Sequence, residues 1–375
     1  MKISFVIPDL RLGGAERVTV NLANRMAELG YKVDCVVLQD AGDLRDALKP
    51  SVRIVNLDVK RIRRTLIPLI RYLKAERPDG MIAAMWPLTV IAVVSRILSG
   101  VPFRLIVAEH TTWSRSQLVQ RGMTRHIVKS TMKLFLPKAD ARVTVSYGAA
   151  DDLAQFSRLD RSTINVIYNP VGPFLPSQPV EMREPFQWWD GSHKRILAVG
   201  MLKTIKSYDT LLNAMALLRD RVNARLLILG EGDCRSALEA QVRDLRLEGS
   251  VFMPGSVKIT APFYERADLH VLSSTGEGLP TVLIEALAHG TPVVSTDCPS
   301  GPHEILAGGR FGRLVPVGNP LALADAIVQS LAATHDPEEL RTRSLDFSID
   351  KATEQYERLL FPVGSRGSVD HTGRS

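Results

Sequence analysis

The chain lacks what several protein classes require. Its 375 residues include three cysteines, Cys35, Cys234 and Cys298, widely spaced and without a CxxC pair. That spacing supplies neither a disulfide framework nor a zinc signature, and it fits a reducing compartment. Long apolar runs are also missing. The longest, Met81–Val94, has 14 residues with Pro87 inside it, against the roughly 20 that a membrane helix needs. It is expected to form a buried strand followed by a buried helix. The opening MKISFVIPDLRLGGAER carries one Lys, a short apolar stretch and then charge. No secretory leader is expected from it, and the chain is expected to stay in the cytoplasm. Aromatics are 6% and no nucleic-acid-binding motif appears, so no nucleic-acid partner is expected. No DxD metal motif lies in a suitable loop, and Asp151-Asp152 reads as a helix cap; no metal is expected.

What is present is ordinary globular material, 45% hydrophobic and 23% charged, and the length suits about two domains. The charge is uneven. Residues 1–190 hold 27 Lys+Arg against 18 Asp+Glu, whereas residues 191–375 hold 20 against 22. The net charge of +7 therefore comes from the first half. One-sided basicity points to an anionic partner.

Both halves alternate strand with helix. In the first, strands are expected at Lys2–Ile7, Tyr31–Leu38, Arg53–Leu57, Gly80–Met85, Arg104–Ala108, Ala141–Val145 and Thr163–Ile167. Helices are expected at Ala15–Leu29, Ile62–Glu76 and Leu88–Leu98. Residues 171–193, with Pro173, Pro176, Pro179 and Pro185, break the rhythm and read as a linker. The rhythm then restarts. Strands are expected at Arg195–Val199, Arg225–Leu229, Val251–Phe252, Leu269–Leu272 and Pro292–Ser295. Helices are expected at Tyr208–Leu218, Cys234–Leu245, Pro280–His289, Leu321–Ala332 and Ile349–Leu360. Near-continuous apolar strands mean parallel sheets covered on both faces. The expected fold is α/β: two doubly wound, Rossmann-like domains, 1–170 and 194–345, facing a central cleft. A helix within 346–361 crosses back to the first domain, and a disordered tail spans 362–375. Ligands of such sheets bind at the carboxyl ends of the strands.

The sharpest local signal is EGLPTVLIE, Glu277–Glu285. Pro280 suits the first turn of a helix. Glu277 then precedes that helix and Glu285 lies within it, with N–H groups of Leu279 to Val282 free to bind an anion. Paired carboxylates suit hydroxyl-rich ligands, since each accepts from two vicinal hydroxyls. Spacing alone also fits two acids placed there by the helix dipole.

The longer segment Tyr264–Leu306 contains this E-x7-E pair, then Gly290-Thr291-Pro292-Val293-Val294 and Gly301-Pro302-His303-Glu304-Ile305. It resembles the donor-site segment of glycosyltransferase family 4, retaining enzymes of the GT-B fold. Gly13–Arg17, GGAER, resembles the family's glycine loop, which is not the GxGxxG of nicotinamide enzymes. Val145–Leu153, Val166–Val171, Leu226–Gly232 and Val251–Gly255 resemble further family stretches. Ala198–Ala214 resembles the diphosphate clamp, with Lys206 at the expected position. It departs from the family at Met201, where an Arg is usual; Lys203 is a nearby substitute cation, though a point charge and not a fork.

The resemblance implies transfer of a glycosyl group from a nucleotide sugar, with UDP the most frequent carrier, and no cofactor. It implies catalytic roles for His110, Glu277 and Lys206. It implies donor binding by Gly13, Gly14, Lys203, Lys206, Gly278, Leu279, Pro280, Thr281, Val282 and Glu285. His110 also follows the strand RLIVAE and so falls at a strand end. His289 and His303 are expected to be bystanders.

The acceptor side is read from charge. Lys60–Lys74 holds Lys60, Arg61, Arg63, Arg64, Arg71 and Lys74 and no acid, with Leu66, Ile67, Leu69, Ile70 and Leu73 interleaved. Arg115–Lys138 mixes Arg121, Arg125, Lys129, Lys133 and Lys138 with Met132, Leu134, Phe135 and Leu136. Such segments fit helices lying on an anionic bilayer, and they also fit surface helices whose apolar face is core. The first reading places the chain peripherally on the inner face of the membrane, with a lipid-linked or glycan acceptor. Two alternatives stay open. One is a GT-B epimerase or phosphorylase, for which no cofactor lysine is evident. The other is a weakly catalytic nucleotide-sugar-binding subunit, which Met201 favours.

Overall fold

The computed structural model describes residues 1–362 apart from 12, 117–118, 120–121, 173–182, 190 and 258. The chain divides into two units, one of residues 1–170 with 349 onward, the other of residues 171–348.

The first unit is a seven-stranded, all-parallel sheet. Its strands are β1 Lys2–Ile7, β2 Lys32–Val37, β3 Val52–Asn56, β4 Gly80–Ala84, β5 Arg104–Glu109, β6 Ala141–Thr144 and β7 Ile164–Val166, in the order β3-β2-β1-β4-β5-β6-β7. Strand periodicity sends alternate residues to opposite faces. Ile3, Phe5 and Ile7 enter one core, together with Ile82 and Ile106, whereas Val6, Met81, Ala83, Leu105 and Val107 enter the other. Both faces are apolar, so the strands read as unbroken hydrophobic runs.

On the second of these faces three helices pack side by side: Leu66–Glu76, Leu88–Ser99 and Gly122–Phe135. They divide the apolar residues of the two basic segments. Leu69, Leu73, Met132 and Leu136 are core, whereas Ile67 and Leu134 are more than half exposed. The helix Ile349–Leu360 covers part of the other face. It seats Leu360 against Gly80, stacks Phe361 on Tyr31 and takes an Arg104 hydrogen bond on the Leu359 carbonyl at 3.0 Å.

The second unit is a six-stranded parallel sheet. Its strands are β8 Lys194–Val199, β9 Ala224–Leu229, β10 Val251–Gly255, β11 Leu269–Leu272, β12 Val293–Thr296 and β13 Arg313–Val315, in the order β10-β9-β8-β11-β12-β13. In each sheet the winding reverses once, between β1 and β4 and between β8 and β11. Those reversals open crevices at the carboxyl ends of the strands.

Three expectations change. The stretch read as a linker ends in a helix, Arg183–Trp189, that belongs to the second unit: Phe186 stacks on Phe263, and Trp189 is fully buried. Residues 173–182 of that stretch, like the tail after 362, lie outside the described residues. Asp151 and Asp152 do not cap a helix. They sit inside Tyr147–Ser157, whose cap is Ser146, and Asp152 accepts from the Ser114 N–H at 3.1 Å. Pro280 is the N-cap of Thr281–Ala288 and not a first-turn residue. At the two points where the chain passes between units, Val171 and Ser348 form a parallel bridge, and the Val171 N–H donates to the Phe347 carbonyl at 3.0 Å.

Candidate active site

In the second unit the site forms across the β8/β11 reversal. A turn of 3-10 helix after β8, Thr204–Lys206, is zipped to the loop after β11. The Thr275 N–H donates to the Ile205 carbonyl at 2.8 Å, and the Ser273 hydroxyl donates to the Lys206 carbonyl at 2.8 Å. These bonds bring Lys206 Nζ to 2.7 Å from Glu277 Oε1, which also accepts from the Ser274 hydroxyl at 2.6 Å. Both charged side chains are mostly buried, at 17% and 13% exposure. A pair this shielded interacts far more strongly than a surface pair, but each ion has lost hydration in forming it. The site thus holds a desolvated cation and a desolvated anion, each ready to exchange its partner for a ligand group.

Glycines allow the loops of this edge to approach one another. A Cβ on Gly230, after β9, would overlap the Gly200 carbonyl after β8. Gly301, at φ +94°, packs on Pro280 so closely that a Cβ would overlap its ring, and Ser300 donates to the Gly278 carbonyl at 2.8 Å. The Ser300–Gly301 turn therefore buttresses the Gly278–Pro280 loop. With Pro280 as N-cap, the first-turn N–H groups of Thr281 and Val282 have no acceptor within the helix. The segment Gly278–Val282 lies directly after Glu277.

Glu285 is the fifth residue of that helix, a little over one turn in, and is half-buried. Tyr264 lies beside it; burial first, and the Glu285 carboxylate second, raise the Tyr264 hydroxyl well above its usual pKa. The Tyr264 ring is stacked on His289 and tilted against His270. His289 is thus packing, and His303 is mostly exposed, 3.4 Å from Asp297.

Two clamp residues stand apart. Lys203 lines a separate cavity with Thr204, Tyr208, Cys234, Leu238 and Gln241, which contains neither Lys206 nor Glu277. Met201 is 48% exposed. The structure does not bring Lys203 to the ion pair.

In the first unit, Gly13 is the N-cap and Gly14 the first residue of the helix Gly14–Glu28, after β1. The Glu16 carboxylate folds back over Gly13 so closely that a Cβ there would overlap it. Burial raises the Glu16 pKa, and Asp9 adds to the effect.

His110 follows β5 and is partly exposed. Its Nδ1 lies 3.2 Å from Asn169 Oδ1, and burial pushes its pKa down to about 4. The ring is therefore neutral near pH 7. The Asn169 oxygen takes the Nδ1 proton, which leaves Nε2 as an acceptor. Asn169 is missing from the sequence-derived site, although it stands in the VIYNPV stretch; fifty-nine residues separate it from His110. Among the described residues no three His, Cys, Asp or Glu side chains group as a metal would need, and no helix is long and apolar enough to cross a membrane.

Comparison with known proteins places these features in a family. A model described as glycosyl transferases group 1 matches residues 193–333, and one described as glycosyltransferase family 4 matches residues 12–173. The chain is 27% identical over 358 residues to the N-acetylgalactosamine-N,N'-diacetylbacillosaminyl-diphospho-undecaprenol 4-alpha-N-acetylgalactosaminyltransferase of Campylobacter jejuni, covering 91% of this chain and 92% of that one. It is 26% identical over 367 residues to the lipopolysaccharide core biosynthesis glycosyltransferase LpsE of Rhizobium meliloti, covering 93% and 96%. Among solved structures, Anabaena Alr3699/HepE in complex with UDP and glucose matches with a TM-score of 0.80 at 18% identity, covering 96% of this chain and 99% of that one.

Proposed function

The chain belongs to glycosyltransferase family 4, the group 1 glycosyl transferases, with the GT-B fold, and from that premise we propose a specific reaction. It moves a hexose or N-acetylhexosamine from a UDP-sugar, with retention at the anomeric carbon, to a lipid-linked or surface-glycan acceptor. The observation that carries the reading is the Lys206–Glu277 pair across the β8/β11 reversal, immediately before the helix start at Thr281. A donor diphosphate arriving there meets a cation and the first-turn N–H groups of Thr281 and Val282. As Lys206 moves onto phosphate, Glu277 is released to accept sugar hydroxyls, and Glu285 accepts the ribose hydroxyls. The Gly13 and Gly14 amides, at the helix start after β1, are assigned to donor binding as well.

Bond breaking at the anomeric carbon puts negative charge on the leaving phosphate oxygen and positive charge on the sugar. Lys206 and the helix start stabilise the first of these, the kind of preorganised electrostatics that usually supplies the largest catalytic effect. The acceptor oxygen attacks from the face the diphosphate leaves, and its proton passes to the departing diphosphate. His110 Nε2 accepts from a hydroxyl of the transferred sugar. Glu277 is assigned to binding and not to nucleophilic attack, since attack by the acceptor from the face the diphosphate leaves needs no protein nucleophile. With Lys206 and the helix start meeting the leaving charge, the reading calls for no metal or other cofactor.

Support for UDP comes from the neighbour that holds UDP and glucose, and for the acceptor from relatives named for an undecaprenol-linked glycan and for lipopolysaccharide core. Peripheral docking on the anionic inner face of the membrane completes the reading. Ile67, Ile97, Leu98, Ile127 and Leu134 are each at least half exposed on three adjacent helices, among Arg63, Arg64, Arg71, Arg125 and Lys133. Apolar side chains within a basic surface favour an anionic bilayer.

The test is donor hydrolysis and binding by the purified chain across UDP-, GDP- and ADP-sugars. Slow UDP release without acceptor, abolished in Glu285→Ala, is the expected result. Tight binding of one donor without release, even with lipid-linked acceptors added, would favour the binding-subunit reading that exposed Met201 suggests.

A further inference from the structure

The carboxyl of Glu109 takes no part in the reaction above. It closes β5, one residue before His110, and is 2% exposed. Oε1 accepts from the Thr89 hydroxyl at 2.8 Å and Oε2 from the Trp86 N–H at 3.3 Å, both donors lying where β4 turns into the helix Leu88–Ser99. Trp86 is held further by its indole N–H to Thr131 Oγ1 at 3.1 Å. Its ring meets Trp113 edge-on, and Trp113 stacks on Phe156. Beyond Glu109, Asn169 holds the His110 ring and Asp152 holds the Ser114 N–H. His110 thus stands in a short segment fastened to its surroundings on both sides.

The groups facing Glu109 are the Trp86 amide, the Thr89 hydroxyl from the helix and Trp113 from the following loop; its partner on β6 is Thr144. None of these is charged, and neighbouring His110 is neutral. A buried carboxylate without a countercharge is costly. A glutamine would fill the same space, its carbonyl oxygen accepting from the Trp86 N–H and its amide donating to the Thr89 oxygen, without that cost, so packing alone does not account for an acid here. We propose that Glu109 is a positioning residue for His110: ionised, it draws the Trp86 amide and the Thr89 hydroxyl onto the end of β5 and fixes the direction in which Nε2 is presented, and protonation releases that hold. The inference rests on His110 meeting the transferred sugar, as proposed above.

The chemistry favours this two-state behaviour. A carboxylate is acceptor-only and matches the Trp86 N–H and Thr89 hydroxyl donors, whereas a carboxylic acid must place its own proton, and of these groups only the Thr89 oxygen can take it. Burial raises the Glu109 pKa, against the pull of the Thr89 and Trp86 donors, to about 7. The hold is therefore present above about pH 7 and released below it. Stability runs the other way. A carboxyl whose folded pKa lies above its ordinary value stabilises the fold fully below about 4.5, and that contribution is lost as the pH rises through about 7.

The full chain is titrated from pH 5 to 9, reading tryptophan emission, to which Trp86 and Trp113 contribute, and UDP-sugar hydrolysis in parallel. Both should change with a midpoint near 7. Glu109→Gln should abolish the emission step, flatten the acid limb of kcat and lower kcat at pH 8 about tenfold. Thr89→Val, which removes a donor to the ionised form, should move both midpoints up by about one pH unit. If Glu109→Gln fails to fold, Thr89→Val decides, and an unmoved midpoint overturns the proposal. Normal turnover with an emission step and acid limb indifferent to both substitutions leaves the transfer reading standing and overturns the positioning role. An emission step that obeys both substitutions while no donor is turned over means that the transfer reading has failed, and the positioning role with it.

Discussion

The two units carry polar groups at the same edge of the same kind of sheet, yet they charge them differently. In the 171–348 unit the groups at the reversal are an ion pair, Lys206 and Glu277, ahead of a helix start. In the other unit burial sets the state of the groups around β5: it lowers the His110 pKa to about 4, so that the ring is neutral, and raises that of Glu109 to about 7. In the proposed reaction, charge belongs where a diphosphate departs and neutral acceptors belong where a sugar's hydroxyls are held. A full positive charge at His110 would repel the cationic character that develops at the anomeric carbon. The contrast teaches that burial, and not only residue type, divides the labour.

The comparison breaks most severely at Lys206. Lys206→Ala should lower kcat/KM for UDP-sugar hydrolysis by about a thousandfold, since it removes the cation at the leaving group. It also strands Glu277 without its partner. Steady-state UDP release measures this; near-normal turnover would mean that charge in the 171–348 unit does not serve the leaving group.

A middle-sized effect is expected at Asn169. Asn169→Leu leaves Nδ1 without its acceptor, so the two tautomers of His110 compete and Nε2 is less often the acceptor. A loss of about tenfold in kcat is expected. Imidazole resonances followed by NMR should show the wild-type ring neutral down to about pH 4. The sign follows from burial: a histidine with a depressed folded pKa adds stability above its ordinary value of about 6.5, and that stability is lost as the pH falls towards 4. A ring that protonates near 6.5 would remove the contrast between the units.

The smallest effect sharpens the comparison. Met201→Arg adds a bidentate cation to the already charged side, and UDP affinity read by calorimetry should rise about three- to tenfold. An unchanged affinity would place residue 201 away from the diphosphate.

Much of the scaffold was legible because it rests on local pattern. Lys2–Ile7, Leu269–Leu272, Tyr208–Leu218 and Ile349–Leu360 have the ends that their periodicity and flanking residues suggest. The elements that were not legible depend on distant partners. Arg313–Val315 is three residues long and becomes a strand only by pairing with β12. The helix Arg183–Trp189 stands in a proline-rich stretch and is held by Phe186 on Phe263, more than seventy residues away.

The site divides in the same way. The segment Glu277–Glu285 is contiguous and carries its own helix signal, so its geometry could be anticipated up to the shift of Pro280 to the N-cap. The Lys206–Glu277 contact and the His110–Asn169 contact span 71 and 59 residues; spacing has no access to either. Nor does it show that Lys203 lines a cavity against Cys234 and Leu238 while Lys206 meets the acid.

The bridge between Val171 and Ser348 has a consequence for how the chain is made. The 171–348 unit is one uninterrupted stretch, so on a ribosome all of its strands are available once residue 348 has emerged. The other unit begins first and finishes last: the part of its face that receives Ala352, Tyr356 and Leu360 lacks that cover while 178 further residues are synthesised. Domains tend to fold as units during synthesis, so the later-starting unit is the one that can complete itself first. Its bridged ends, Val171 and Ser348, are then already paired when the residues of the closing helix emerge.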